Sequence, residues 1–257
     1  MPLIQSIRRY LIRNREFPEQ WKQILDRRVP FYRYLPESLK SELHKHMPIV
    51  MEEKHFEGCG GLVMNDEKRV IISAYATLLI LGEPTGYYPD LQAILVYPSD
   101  YYAEVLEEDP SGIITEGVEY RSGESWGVGS IVLSWQDIEK DLAHPFSGRN
   151  LIFHEFSHQI DDVYGVTAGI DESGDVFTSN EWNDTLAREF RALRVAVQRS
   201  HKTLLDPYGA TLPAEFFSVA TECFFECGYT MREQHPDLYR MFVQFYKLDP
   251  AGWLPRP

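Results

Sequence analysis

The sequence predicts an α+β protein with a small mixed sheet and a helical N-terminal extension. Three observations predict it. Segments with helical periodicity stand at both ends, a short run of β-like segments lies between them, and no internal repeat, low-complexity tract or linker divides the chain. Residues 1–50 are expected to form the helical extension, packed on a main domain at 51–257. With 257 residues, 44% of them hydrophobic, the chain can bury a sizeable core.

The first helix is read from Leu3, Ile4, Ile7, Tyr10 and Leu11, and the second from Phe17, Trp21, Ile24 and Leu25. Leu35, Leu39, Leu43 and Met47 continue the pattern, with Pro36 at a helix start and Pro48 interrupting it. Gly58-Cys59-Gly60-Gly61 marks a turn, or a backbone that another segment approaches closely. A helix follows from Asp66 to Leu81, capped by Asn65 or Asp66. Its interior from Val70 is apolar nearly all round, which predicts a central buried helix.

Leu91–Tyr97, ended by Pro98, is a predicted strand, as are Ile113–Tyr120 and Gly127–Trp135. The last is read either as a sheet edge to which an extended peptide could add as a strand, or as an ordinary half-buried strand. Further on, Glu181–Leu204 reads as a helix and Asp206-Pro207-Tyr208-Gly209 as a turn. Pro213 opens a helix to Cys227, and a final helix spans Pro236–Leu248.

A net charge of −14 argues against nucleic acid as a partner. The first 47 residues hold ten Lys/Arg against five Asp/Glu, so this basic segment either meets an acidic partner or folds onto its own acidic body; the second is favoured. The longest near-apolar run, Val70–Leu81, is too short to span a bilayer, so no membrane partner is expected. Cys59, Cys223 and Cys227 form no disulfide framework, which suits a reducing, cytoplasmic setting.

The chemistry is carried by His154-Glu155-Phe156-Ser157-His158 within an amphipathic helix. His154 and His158 sit about 40° apart around the axis and roughly 6 Å along it, close enough to hold one metal ion. Ile152, Phe156, Ile160 and Val163 form a separate, buried stripe. Glu155 lies one step round from His154, placed to serve as general base rather than ligand. H-E-x-x-H on a helix is the zincin motif, and chance gives roughly 0.02 matches in a chain of this composition. Asp161 and Asp162, one turn beyond His158, could accept a hydrogen bond from a ligand imidazole.

A zinc site of this kind needs one more protein ligand, with the fourth position left to water. No H-x-x-G-x-x-H extension continues the motif, and His201 and His235 are poorly placed. The helix from Pro213 offers Glu215, Glu222 and Glu226, spaced i, i+7, i+11 on one face. One of them is expected to be the ligand and another a supporting carboxylate; periodicity does not choose among the three.

His154–His158 together with Asp206-Pro207-Tyr208-Gly209 and Glu215-Phe216-Phe217 resembles the Mlc titration factor A family of zinc peptidases, whose core is similar to that of anthrax lethal factor. Glu53–Gly61, Ile94–Pro98, Gly123–Gly127, Val132–Trp135 and Phe245–Pro250 extend the resemblance over about residues 30 to 250. It implies a zincin-like fold with Glu215 as third ligand and Tyr208 as a functional tyrosine. Glu222 is then left as a candidate supporting carboxylate. The loop Asp162-Val163-Tyr164-Gly165-Val166 departs from the family's usual form.

The expected protein is a zinc-dependent peptidase with one Zn2+ per chain, held by His154, His158 and Glu215. Glu155 would take the proton of the attacking water, and Tyr208 would help stabilise the oxyanion. The resemblance further implies aminopeptidase activity and, in enteric bacteria, binding to the Mlc repressor of sugar uptake. The competing reading is a non-catalytic zinc protein that sequesters a regulator. Glu155 argues against it, because a structural site needs no general base.

Overall fold

Helix α4 (Asp66–Ile80) runs through the middle of the protein with every residue from Val70 to Leu79 buried. The computed structural model describes residues 2–82, 86–99, 101–108, 114–121, 123–125 and 129–256. α4 starts where the Asn65 side chain accepts the Lys68 N–H, and its all-round apolar interior lets it be covered on several sides at once. Before it come α1 (Pro2–Arg13), α2 (Glu19–Arg28) and α3 (Glu37–Glu53). α2 and α3 pack against α4 from one side, and α6 (Leu151–Tyr164) from another.

The sheet has four strands in the order β1 (His55–Gly58), β2 (Ala93–Tyr97), β6 (Ser130–Ser134), β5 (Gly123–Ser125). The first three are mutually parallel and β5 runs antiparallel to β6, so the sheet is mixed. Alternation along β2 buries Ile94 and Val96. A separate antiparallel pair is formed by β3 (Tyr101–Glu108) and β4 (Ile114–Arg121). After β6 come α5 (Trp135–Ala143), α6, α7 (Glu181–Gln198), α8 (Pro213–Gln234) and α9 (Pro236–Tyr246).

Several sequence expectations are corrected here. The strand predicted through Trp135 ends at Ser134, whose hydroxyl accepts the Asp137 N–H and starts α5 instead. β6 is flanked by β2 and β5, so it is not a sheet edge; the edges are β1 and β5. Ile113, Trp126, Gly127 and Val128, parts of the predicted strands and matching stretches, lie outside the described residues.

Pro48 does not interrupt its helix. α3 runs through it because Met47, Ile49, Val50 and Met51 are all buried, offsetting a helix-interior proline that costs about 3 kcal/mol. The expected boundary between residues 50 and 51 therefore falls inside α3. α7 stops at Gln198, six residues before the predicted Leu204, where Ser200 turns to a φ of 54°. α8 continues past Cys227 across a kink at that residue (φ −133°, ψ 40°).

Both readings of the glycine-rich turn hold. Gly60 and Gly61 take φ of 57° and 83°, and a Cβ on Gly60 would meet Pro98, from the segment after β2, at 3.2 Å. The basic N-terminal segment folds onto acidic residues of its own chain: Arg9 on Glu53, Arg15 on Glu52, Arg27 on Glu67, and Arg28 on Glu67 and Glu139.

One cluster of buried side chains extends from Ile12 to Ala251. Aromatic contacts fix the helices of the site within it. Tyr75 of α4 meets Phe153 of α6 edge-on with centroids 5.0 Å apart, and Phe153 stacks on Phe225 of α8 at 5.1 Å. Phe224, Phe242 and Tyr246 tie α8 to α9. Among the described residues no helix is long and apolar enough to cross a membrane.

Candidate metal centre

α6 starts at Asn150, whose side chain accepts the Phe153 N–H at 3.1 Å, and ends at Gly165 in the left-handed region (φ 61°). Ile152, Phe153, Phe156 and Ile160 are buried in the core, whereas Val163, expected on the same stripe, is half-buried. This seating turns His154 and His158 toward α8. α8 in turn begins with Pro213 at its first position and presents Glu215, Ser218, Glu222 and Glu226 along one face.

The two histidines and Glu215 converge. His154 Nε2 lies 3.0 Å from Glu215 Oε2 and 3.3 Å from His158 Nε2, and His158 Nε2 lies 3.5 Å from the same carboxylate oxygen. One donor atom from each of the three residues falls within a 4.8 Å span, the one grouping of this kind among the described residues. Two imidazole nitrogens and a carboxylate oxygen are the donor set of a zinc site that keeps an open position, so the residues present fit the ion.

Glu222 fixes the tautomer. Its Oε1 accepts from His154 Nδ1 at 2.7 Å, which keeps a proton on Nδ1 and points Nε2 to where the donors converge, so that a bound ion would replace the Nε2 proton. On the His158 side, the Ser218 hydroxyl oxygen lies 3.3 Å from both ring nitrogens and receives the Ser157 hydroxyl at 2.8 Å. Asp161 does not support either imidazole. Its two oxygens accept the N–H and hydroxyl of Thr167 and pin the start of the following loop. Asp162 is exposed, and burial together with the neighbouring Asp161 raises its carboxyl pKa.

Charge matches this geometry. Burial works against a charged His154, yet the hydrogen bonds to Glu215 and Glu222 carry its pKa up to about 10. Glu215 is the counterpart: burial pushes it up, but the bonds from His154 and His158 bring it down to about 2. Glu155 is buried, and that burial raises its carboxyl above the usual range.

Tyr208 sits in a 3-10 turn, Pro207–Ala210, held by the Asp206 carboxylate accepting the Tyr208 N–H at 2.9 Å. Its ring is half exposed, with its centroid 5.9 Å from that of His154. Gly209 beside it faces Val219 and Leu193 at distances that a larger residue would crowd.

Sequence reasoning missed a carboxylate platform under the start of α6. Glu222 Oε2 accepts the Asn150 N–H at 2.6 Å, Asp141 accepts the Leu151 N–H at 2.8 Å, and Glu226 accepts the Phe146 N–H at 2.6 Å and the Asn150 amide at 3.2 Å. Asp141 thus satisfies the first N–H of α6, while Glu222 and Glu226 hold its cap residue and the loop before it. The signal available was the acidic face of α8 traced over three turns, together with Asn150 as cap.

Burial pushes Glu226 up to about 8 and Asp141 up to about 6, in each case against a backbone hydrogen bond. A carboxyl raised in the folded state favours folding fully below its unfolded pKa of about 4.3 and loses that contribution as pH rises through the folded value. The melting temperature should therefore fall between about pH 4 and 8, and Glu226→Gln should flatten that fall relative to the parent. An unchanged slope in the variant would contradict the assignment.

Comparison with known proteins gives the family. The family model described as glucose-regulated metallo-peptidase M90 matches residues 3–247, and the chain belongs to that metallopeptidase family. An uncharacterised protein of Synechocystis sp. is 36% identical over 92% of this chain and 86% of its own length. Mlc titration factor A of Serratia proteamaculans is 29% identical over 92% of this chain and 90% of its own. Mlc titration factor A of Pectobacterium atrosepticum is also 29% identical, over 92% and 88% respectively.

Proposed function

We propose that this chain is a zinc-dependent aminopeptidase of the cytoplasm, with one zinc ion held by His154, His158 and Glu215. The observation that carries the reading is the convergence of those three side chains on a helix that also bears the buried Glu155. When bound, the ion supplies a Lewis acid that makes water nucleophilic near neutral pH. Glu155 accepts the proton of the attacking water and passes it to the leaving amine. Its desolvated site raises the carboxyl pKa, the direction that suits a group taking a proton from water and returning it to the leaving amine.

Tyr208 donates its hydroxyl proton in a hydrogen bond to the carbonyl oxygen as negative charge develops there. Glu222 holds His154 in its ligating tautomer. On this reading Tyr208→Phe lowers kcat by about 10²-fold and leaves KM and metal content near the parent's. Equal kcat in parent and variant would remove Tyr208 from the mechanism.

A library of peptides, each with a free and an N-acetylated version, tests the substrate class. The proposal expects cleavage at the first bond of free peptides and none of acetylated ones. Cleavage within acetylated peptides would make the chain an endopeptidase, and no cleavage by a zinc-loaded sample would favour a binding protein. A regulatory partner is also proposed. The name of the Serratia and Pectobacterium relatives supports binding to an Mlc-like repressor, and co-purification with such a repressor from the source cell would test it.

A further inference from the structure

Helix α1 is seated the wrong way round for a core helix. Leu3, Ile4, Ile7, Tyr10 and Leu11 share one stripe, and each is 52–75% exposed. The opposite side holds the helix to the body: Ile12 is buried, and the Arg9 guanidinium makes two bonds to Glu53, at 2.8 and 2.7 Å, over the Tyr87 ring. The apolar stripe predicted from the sequence is therefore present but faces outward, and the anchoring contacts keep it there.

The charges around the stripe say what covers it. From Pro2 to Arg15 there are four arginines and no acidic residue. On the helical wheel Arg8 and Arg13 fall on the two flanks of the apolar stripe, and both are exposed. Residues 1–54 hold eleven Lys/Arg against seven Asp/Glu, and against nine once the partner acids Glu67 and Glu139 are added, in a chain of net charge −14. Arg8 makes one long, exposed ion pair to Glu52, at 3.5 Å, a contact weak enough to give way to a headgroup phosphate. A second copy fits less well. A helix of 12 residues is about 18 Å long, and its one face falls short of the roughly 800 Å² per partner of a stable interface.

We propose that α1 is an interfacial anchor that lies along an anionic phospholipid bilayer, its apolar stripe among the acyl chains and Arg8 and Arg13 at the headgroups. The expectation of no membrane contact then narrows to the absence of a spanning helix among the described residues. The anchor belongs to the extension and is independent of the metal centre, so its test does not depend on peptide hydrolysis.

The test is co-sedimentation of the full chain with vesicles of phosphatidylcholine alone or mixed with phosphatidylglycerol. The parent should pellet with the mixed vesicles, less with phosphatidylcholine, and less again as salt is raised. Ile4→Glu/Ile7→Glu should lower partitioning by about tenfold or more while keeping the parent's circular dichroism, because both positions are exposed. Arg8→Glu/Arg13→Glu should remove the preference for the anionic lipid. Failure of the parent to bind either vesicle, or equal binding by all three proteins, overturns the proposal. So does a concentration-dependent dimer that Ile4→Glu/Ile7→Glu converts to monomer, since a second copy would then be the occupant.

Discussion

Glu155→Gln should bind zinc as the parent does while peptide hydrolysis falls by about 10²–10⁴-fold. The two side chains are nearly the same size, so the buried site that holds Glu155 can accept the amide without a cavity. The metal donors belong to other residues, and α6 keeps its cap and its core contacts. What is lost is the proton acceptor alone. Turnover and zinc content, measured on one preparation, separate this outcome from a general failure of the site. Loss of zinc along with turnover would mean that Glu155 helps hold the ion.

The second large effect is expected at Glu215. Glu215→Ala removes one of three protein donors, and zinc affinity should fall by at least 10²-fold, with hydrolysis at sub-stoichiometric zinc lost in parallel. α8 should stay folded, because Glu215 lies in its first turn and the helix is held further along by Phe217, Phe224 and Phe225. Glu222 cannot readily take over. Its two oxygens already accept from His154 Nδ1 and from the Asn150 N–H. Parental zinc affinity in Glu215→Ala would show that another group is the third ligand.

Much of the site was legible in the sequence because it is written in local spacing. H-E-x-x-H fixes two imidazoles on one helix face, and the i, i+7, i+11 acids mark the facing helix. The choice among Glu215, Glu222 and Glu226 was not legible from periodicity, since all three share a face. Only the packing of α8 across α6 sets which one meets the donor cluster, which one meets Nδ1 and which one reaches the Phe146 loop. The place of Asp161, an open candidate for supporting an imidazole, was not legible for the same reason. Its distance along the helix suited an imidazole, but the loop folded back and offered Thr167 first.

The central helix α4 was legible because an all-round apolar segment has one place to go. β1 and β5 were not, being four and three residues long and so too short for alternation to register. The N-terminal stripe shows the complementary limit. Periodicity says that α1 has an apolar face, and only the fold says that Ile12 and Arg9, on the other side, are what dock it.

On the proposed function, one zinc ion turns this cluster into a peptidase. Metal-stripped protein titrated with zinc, with hydrolysis of a free-N-terminal peptide measured at each addition, tests that most directly. Activity should be absent at the start, rise in proportion to zinc and level off at one equivalent per chain. Hydrolysis that is unaffected by stripping, or that stays absent after zinc is bound, would contradict it.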